Sequence, residues 1–201
     1  MIERATRNFA APSEQPPTED LEEFGGMIGF APAMVEVYKR IARFAKSDET
    51  VLILGESGVG KELVAKAIHD HSKRFEKPFV ALDSGAVAGS LWEAEVFGAL
   101  KGAFTGAASD RPGLLRSADG GMLFLDEIGE LGLDEQAMLL RALEEKRFLP
   151  LGSDREVSSK FLLIAGTNRD LGSRVRDGSF RDDLLARINL WSFTLPALRE
   201  R

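Results

Sequence analysis

The sequence predicts an α/β protein built on a parallel β-sheet that helices cover on both faces. Short, nearly all-apolar segments alternate along the chain with segments of helical periodicity. Continuous apolar composition is typical of strands buried on both faces, and the alternation is typical of parallel sheets. Polar motifs follow three of the apolar segments. Right-handed crossovers place the loops after parallel strands along one edge, where such sheets bind ligands.

The strands are predicted from apolar runs bounded by turn residues: Val51–Leu54, Pro78–Leu82, Met122–Leu125 and Phe161–Ala165. The helices are predicted from apolar residues at helical spacing: the segment with Met34, Val37, Tyr38, Ile41 and Ala45, then Lys61–His71, Ser90–Phe97, Asp134–Glu145 and Asp182–Arg187. We expect Asp134 to be the N-cap of its helix, because its carboxylate accepts hydrogen bonds from unpaired backbone N–H groups.

The remaining segments are predicted to be loops, a hairpin and an apolar end. Residues 98–110 have no regular periodicity and are predicted to be a loop. Arg147–Leu151 and Glu156–Ser159 flank Gly152-Ser153-Asp154, which indicates a β-hairpin. The apolar run Leu190–Leu195 closes the structured part of the chain.

Composition limits the classes of protein that this chain can represent. The 201 residues are 44% hydrophobic, which is enough for one well-filled core. Residues 1–24 are polar and rich in proline and acidic residues, so we expect a disordered leader or linker before a core at 25–201. The net charge is −6 with no lysine or arginine block, so direct DNA binding is not expected. There is no cysteine, which excludes disulfides and thiolate metal sites.

No targeting or membrane segment is evident in the sequence. No apolar run reaches the roughly 18–20 residues that span a bilayer, and the N-terminus lacks the order of a secretory signal. We therefore expect a soluble, cytoplasmic protein with no membrane partner.

The first motif is a glycine-rich loop between a predicted strand and a predicted helix. It reads Gly55, Glu56, Ser57, Gly58, Val59, Gly60 and Lys61. Glycines let several backbone N–H groups converge on one anion, and the helix N-terminus adds positive potential. This order is typical of the ATP phosphate loop, with Lys61 reaching the outer phosphates. An ordinary strand-to-helix turn is the alternative. Glu62 stands where the general pattern has a hydroxyl ligand for Mg²⁺, so that ligand is lost or replaced by water.

The other two motifs follow predicted strands. Asp126 and Glu127 end an apolar strand, and we expect Asp126 to hold Mg²⁺ and Glu127 to polarise the attacking water as a general base. Asn168 follows the strand at 161–165, where an amide can position the water or sense the γ-phosphate. The alternative for Asp126 and Glu127 is an ordinary cap at the end of a strand. The alternative for Asn168 is an asparagine in a turn.

Five segments together resemble the central ATPase domain of bacterial enhancer-binding proteins, the activators of sigma-54 RNA polymerase in the AAA+ class. They are GESGVGKELVAKAIH (55–69), FGALKGAFTGA (97–107), GGMLFLDEIGEL (120–131), GTNRDL (166–171) and FRDDLLARINL (180–190). The resemblance covers about residues 25–201. It implies a P-loop NTPase fold, a three-layer sandwich with a central parallel sheet, that uses ATP and Mg²⁺. A glutamate after the loop lysine is usual in this family.

The GAFTGA hexapeptide is the segment most specific to the family. The resemblance implies that Phe104 and Thr105 form the loop tip that contacts sigma-54. The residues agree with this, because an exposed phenylalanine beside glycines can make apolar contact when the loop is raised. A phenylalanine folded back onto its own core is the alternative. The hairpin around Gly152 resembles the family's second loop, which supports the first.

The family also implies a ring, often a hexamer, with ATP between subunits. Arg181 and Arg187 match its arginine fingers, which act on the neighbour's nucleotide. Six residues on a helix turn through about 600°, roughly 240° net, so both cannot point from one helical face. One is therefore expected at the helix start, or the two play different parts, and a surface salt bridge is the alternative for either. Ile28 and Gly29 resemble the adenine-contacting segment.

The chain departs from the family pattern in one residue and in length. Asp83 stands where the family usually has an asparagine that restrains the catalytic glutamate. Two ionised carboxylates cannot share a hydrogen bond, so we expect one pKa to rise if Asp83 and Glu127 lie close. The chain stops before the family's helical lid and before any helix-turn-helix. Residues 113–161 look particularly like the branch that regulates RNA-repair (RNA terminal-phosphate cyclase) operons.

Three functions remain open from the sequence. The first is an ATP-hydrolysing activator domain that remodels sigma-54 RNA polymerase through the GAFTGA loop. The second is a nucleotide- or sigma-54-binding module that does not turn over without a lid. The third is a general AAA+ remodeller of other proteins, which leaves the hexapeptide unexplained.

Overall fold

The structure is a computed structural model that describes residues 31–87 and 89–201 together with two short strands at 23–24 and 27–28. The expected leader therefore lies outside the described residues, apart from its last two positions. The strands are β1 Glu23–Phe24, β2 Met27–Ile28, β3 Val51–Leu54, β4 Phe79–Asp83, β5 Met122–Asp126, β6 Arg147–Phe148, β7 Val157–Ser158, β8 Leu162–Thr167 and β9 Trp191–Thr194. The helices are α1 Pro32–Phe44, α2 Lys61–Asp70, α3 Gly89–Phe97, α4 Leu114–Ser117, α5 Leu133–Glu145, α6 Leu171–Arg176 and α7 Asp182–Ile188.

A five-stranded sheet in the order β4-β5-β8-β3-β9 forms the centre of the molecule. Every neighbouring pair in it is parallel, which confirms the predicted sheet. The apolar run at 190–195 supplies the fifth strand, β9. Because β8 lies between β3 and β5, the end of β8 is placed between the ends of the strands that carry the other two motifs.

The strands bury alternate side chains on opposite faces of the sheet, as the two-residue period of a strand requires. On β5, Leu123 and Leu125 join one core cluster, whereas Met122 and Phe124 join the other. Residues of α3, α5 and α7 belong to the first cluster and residues of α1 and α2 to the second. The result is the expected three-layer sandwich. Truncating Phe124 to alanine would lower the free energy of unfolding by about 3–5 kcal/mol.

The predicted elements differ from the observed ones at several ends. Helix α5 has Gly132 as its N-cap, so the expected cap at Asp134 is wrong. Asp134 instead lies in the first turn, where its charge is favourable beside the helix dipole. The hairpin is confirmed as an antiparallel β6–β7 pair, but it is shorter than predicted. Helices α4 and α6 were not predicted, because four and six residues are too few to show a helical period.

Among the described residues, no helix is both long enough and apolar enough to cross a lipid bilayer.

Candidate nucleotide-binding site

The glycine loop follows β3 and leads directly into α2. Gly58 has a φ of 78° and Gly60, the N-cap of α2, has a φ of 94°. Residues with a side chain rarely adopt such backbone, so the curl of this loop depends on glycine at these positions. A curled glycine loop at the start of a helix is suited to binding a phosphate through backbone N–H groups.

Lys61, the last residue of the motif, is buried and held by both carboxylates of the second motif. Its Nζ lies 3.1 Å from Glu127 Oε1 and 3.5 Å from Asp126 Oδ1. It also donates to the carbonyl oxygen of Gly55 at 3.3 Å. Lys61, which we expected to bind phosphate, is thus neutralised by Asp126 and Glu127, which we expected to hold Mg²⁺ and to polarise the attacking water.

Glu127 occupies a strained position immediately after β5. Its φ of 52° lies in the left-handed region that residues with side chains seldom adopt, and its N–H donates to Asp126 Oδ1 at 2.9 Å. Strain of this kind is concentrated at functional sites. The left-handed backbone of Glu127 ends the strand, and its side chain contacts Lys61.

Ser57 and Asn168 complete a hydrogen-bond network around Glu127. The Ser57 hydroxyl donates to Glu127 Oε1 at 3.1 Å, and the Asn168 backbone N–H donates to Glu127 Oε2 at 3.2 Å. The Asn168 side-chain amide donates to Ser57 Oγ at 3.0 Å. The structure therefore brings the three motifs together at the carboxyl edge of the sheet. Sequence reasoning assigned Ser57 to the phosphate loop but missed its side-chain contact with Glu127; the only signal was a hydroxyl inside a glycine loop.

Asp126 has the chemistry of a Mg²⁺ ligand. Burial raises the pKa of Asp126, the charge of Lys61 opposes that rise, and the charge of Glu127 adds to it. Such a carboxylate gains from a second cation. No group of three or more potential metal ligands was found among the described residues, but protein Mg²⁺ sites commonly use one or two carboxylates with substrate phosphates. Asp126 beside the glycine loop fits that arrangement, whereas Glu62 is exposed on α2.

Asp83 does not restrain Glu127 through a direct hydrogen bond. Its carboxylate accepts the Gly85 N–H at 2.9 Å and caps the short turn after β4. In the register of the sheet, Asp83 pairs with Asp126. Burial is the main cause that raises the pKa of Asp126.

The end of the described chain lies against the glycine loop. Arg199 binds the Glu56 carboxylate through two hydrogen bonds of 2.9 and 3.1 Å, and this pairing lowers the pKa of Glu56. Arg201 donates to the Val59 carbonyl oxygen at 2.7 Å. Both contacts were missed, because nothing in the sequence pairs residues so far apart. Ile28 lies in β2, and Gly29 lies outside the described residues.

The two candidate arginine fingers differ in position and in partners. Arg181 is the N-cap of α7, which confirms that one of the pair lies at the helix start, and it makes a bidentate ion pair with Asp183 at 2.7 and 3.0 Å. Arg187 lies in the last turn of α7 and lines a pocket of about 220 Å³ with Thr50 and Phe161. Because Thr50 and Phe161 immediately precede β3 and β8, this pocket is at the amino edge of the sheet, opposite the glycine loop.

The Phe104 segment is a loop with a fastened base and an accessible tip. Ala99 and Arg111 exchange backbone hydrogen bonds of 3.0 and 2.7 Å across the base. Thr105 is exposed, and Phe104 is partly exposed and belongs to neither core cluster. The structure therefore disfavours the alternative in which Phe104 is folded into the core.

The hairpin contacts the base of this loop directly. Leu151 accepts from the Leu100 N–H at 3.0 Å, and its own N–H donates to the Gly98 carbonyl oxygen at 2.9 Å. A Cβ on Gly152 would lie 2.9 Å from Ala103 Cβ. Only a glycine at 152 permits this approach, which agrees with the expected pairing of the two loops.

The fold and the site define a P-loop NTPase of the AAA+ class. Residues 27–194 match the family model of the sigma-54 interaction domain. The chain belongs to this family.

Relatives and solved structures agree with that assignment. The transcriptional regulatory protein RtcR of Escherichia coli (strain K12) is 54% identical over 171 residues, covering 84% of this chain and 32% of RtcR. The DNA-binding transcriptional regulator NtrC of Salmonella typhimurium is 47% identical over 204 residues, covering 100% of this chain and 43% of NtrC. A crystal structure of NtrX from Brucella abortus in complex with ATP superposes with a TM-score of 0.79 at 32% identity, covering 86% of this chain and 37% of NtrX. The chain thus spans less than half the length of these proteins.

Proposed function

We propose that this chain is an ATP-hydrolysing motor domain that remodels sigma-54 RNA polymerase through the Phe104 loop. The observation that carries the proposal is the convergence of Lys61, Asp126, Glu127 and Asn168 at one sheet edge, in a chain that also presents the Phe104 loop. The ATP-bound structure of NtrX, a solved structure similar to this chain, supports ATP as the nucleotide.

Each residue of the site has a role that its geometry supports. The glycine loop and Lys61 bind the phosphates, and Asp126 holds Mg²⁺, which neutralises charge on the phosphates when it is bound. Glu127 accepts a proton from the attacking water, and Asn168 orients that water or the γ-phosphate. Since Lys61 is 3.1 Å from Glu127 Oε1, its transfer to phosphate would break this ion pair and leave Oε1 with the Ser57 hydroxyl as its donor.

The route from this site to Phe104 is short along the chain. Strand β4 ends at Asp83 beside Asp126, the next turn is joined to α3 by a 3.3 Å hydrogen bond from Trp92 Nε1 to Ser84 Oγ, and α3 leads into the Phe104 loop. A change at the phosphates can therefore shift the base of the loop through a helix of nine residues.

Hydrolysis depends on a second copy of the chain in this proposal. Arg187 lies at the edge of the sheet opposite the glycine loop, so it acts on the nucleotide of a neighbour rather than on its own. A ring, such as a hexamer, places the two edges against each other. Within the family, the 54% identity to RtcR supports the branch that regulates RNA-repair operons.

A second candidate is a nucleotide-binding module without turnover. It is favoured by one observation, that both Glu127 oxygens are occupied by Lys61, Ser57 and the Asn168 N–H. Measurable binding of an ATP analogue with negligible turnover at all protein concentrations would support this module over the motor.

Nucleotide-dependent capture of sigma-54 tests the proposal. We expect wild-type protein to retain sigma-54 with ADP and a transition-state phosphate mimic, and to retain none without nucleotide. Phe104→Ala should lose capture and keep ATP hydrolysis, whereas Phe75→Ala, an exposed phenylalanine on another surface, should keep both. Equal capture by the Phe104→Ala variant would contradict the proposal and would favour a remodeller of other proteins.

A further inference from the structure

Lys146 lines the pocket at the amino edge of the sheet together with Arg187, and its backbone is strained. Lys146 is the C-cap of α5 and has a φ of 55°, in the left-handed region where glycine or asparagine is usual. Its carbonyl oxygen accepts the Ser159 N–H at 3.1 Å, which fixes this conformation. Lys146 therefore combines a strained backbone with a position beside Arg187 in the pocket lining.

Lys146 lies against the Phe161 ring and beside Arg187 in the pocket. Its Nζ lies 5.5 Å from the centre of the Phe161 ring, a distance typical of a cation–π contact. Among the described residues, no carboxylate makes a hydrogen bond or ion pair with Lys146 or with Arg187. Burial lowers the pKa of Lys146, and the charges of Arg187 and Arg74 lower it further. Two cations therefore lie close together without an anion of their own.

The pocket as a whole carries excess positive charge. Its charged lining residues are Arg74, Lys146, Lys160 and Arg187 against Asp48 and Glu49, four cations against two carboxylates, a net charge of +2. Arg74 is already committed to Asp48 at 3.3 Å and to backbone carbonyl oxygens. Lys160 is exposed, whereas Lys146 and Arg187 are partly buried and lie close enough for their charges to interact, so this pair is best placed to bind an incoming anion.

A nucleotide bound by the same copy of the chain cannot supply this anion. The glycine loop begins after the last residue of β3, whereas the pocket borders Thr50, just before its first residue. A strand of four residues separates the two by about 13 Å, so phosphates on Lys61 of the same chain are out of reach.

We propose that Lys146 and Arg187 together form a two-cation site for the terminal phosphate of a nucleotide bound by a second copy of the chain. The inference rests on the proposed function, in which Arg187 acts in trans, and adds Lys146 as a second phosphate-contacting group. A lysine beside the arginine supplies a compact charge where the guanidinium supplies directional hydrogen bonds.

Charge removal at Lys146 tests the site without disturbing the glycine loop. We expect Lys146→Gln to lower ATP turnover about tenfold, the loss of one contact to a charged group, with unchanged affinity for an ATP analogue. Lys146→Gly should lose the same turnover although glycine relieves the backbone strain, and Lys146→Arg should recover most of it. Lys73→Gln, an exposed lysine elsewhere, should match the wild type.

Mixing two impaired variants separates action in trans from action within one chain. Lys61→Ala lacks its own phosphate lysine but retains Lys146, so adding it to Lys146→Gln should raise turnover above that of either variant alone. If the wild type hydrolyses ATP and the Lys146 variants lose no turnover, the two-cation site is overturned and the motor proposal remains intact. The same holds if mixing the two variants gives no gain in turnover. Absence of turnover in the wild type would instead overturn the motor proposal.

Discussion

The two edges of the central sheet differ in whether their cationic side chains are paired with carboxylates. At the carboxyl edge, Lys61 is neutralised by Asp126 and Glu127 within 3.5 Å. At the amino edge, Lys146 and Arg187 line a pocket with no carboxylate paired to them among the described residues. At the carboxyl edge, a phosphate must draw Lys61 away from its carboxylates, whereas at the amino edge Lys146 and Arg187 have no carboxylate partner among the described residues. In the proposed mechanism neither edge is a complete catalytic site, because each edge supplies charges that the other lacks.

Removing the unpaired arginine should have the largest effect on this comparison. Arg187→Ala should lower turnover about 10³-fold or more, the range known for trans-acting arginines. Arg181→Ala should lose much less, because its guanidinium is held by Asp183. Steady-state ATPase assays at saturating protein concentration check both variants. An equal loss in the two would mean that the paired arginine also reaches the phosphate, which would contradict the distinction drawn here.

Removing Glu127, the proposed general base, should stop hydrolysis at the carboxyl edge without affecting ATP binding. Glu127→Gln keeps the side-chain size and should lower turnover about 10²–10⁴-fold, with ATP affinity retained. Glu144→Gln, exposed on α5, is the matched control. Single-turnover hydrolysis and equilibrium binding of an ATP analogue separate the two steps. Residual turnover near the wild-type rate would remove Glu127 from the proton-transfer role.

Neutralising Asp126, the proposed Mg²⁺ ligand, should stabilise the protein while removing its activity. The pKa of Asp126 is raised in the folded state, so the folded protein binds more protons than the unfolded chain between the ordinary carboxyl pKa of 3.8 and the raised one. The free energy of unfolding therefore falls as pH rises through that window. Asp126→Asn should abolish this contribution and raise the unfolding midpoint at neutral pH.

The size of that stabilisation is modest. A gain of about 1 kcal/mol corresponds to about 2–4 °C in a chain of this length. Thermal unfolding with and without Mg²⁺ and an ATP analogue measures it, and the variant should lose the Mg²⁺-dependent part of the midpoint shift. A lower midpoint at neutral pH would show that the ionised carboxylate stabilises the fold.

A change at Gly152 should disturb the contact between the hairpin and the Phe104 loop. Gly152→Ala places a methyl group against Ala103, whereas Gly178, with a similar φ of 78°, has nothing within 4 Å. Both alanine variants should lose about 1–2 kcal/mol of unfolding free energy from left-handed strain. Only Gly152→Ala should also weaken sigma-54 capture, and the two losses are compared by thermal unfolding and pull-down.

The smallest effect is expected at Asp83. Asp83→Asn retains an oxygen that can accept the Gly85 N–H, so turnover should be intact or higher. A collapse of turnover in this variant would show that the ionised carboxylate is needed, either for Glu127 or for Mg²⁺.

Much of the fold and of the carboxyl edge could be predicted because local signals coincide there. The apolar runs gave four of the five central strands, and the glycine loop and the Asp126–Glu127 pair were recognised from spacing to adjacent strands. Their convergence followed from the rule that parallel strands end at one edge, and the structure places Lys61 against both carboxylates. The remaining apolar run was identified, but its role as β9 depends on pairing with β3.

The amino edge could not be predicted, because it depends on contacts between distant segments. Nothing in the residues around Lys146 indicates a left-handed backbone or a pocket shared with Arg187. These features arise where α5, α7 and the start of β8 pack together. The same reason explains why the Arg199–Glu56 ion pair was missed and why the N-cap of α5 was misplaced by two residues.

The most direct test of the account is specific ATPase activity measured against protein concentration, with the oligomeric state determined in the same samples. If the catalytic site joins the carboxyl edge of one copy to the amino edge of another, turnover per chain should rise steeply as assemblies form. Full turnover per chain in a sample that is entirely monomeric would contradict the account.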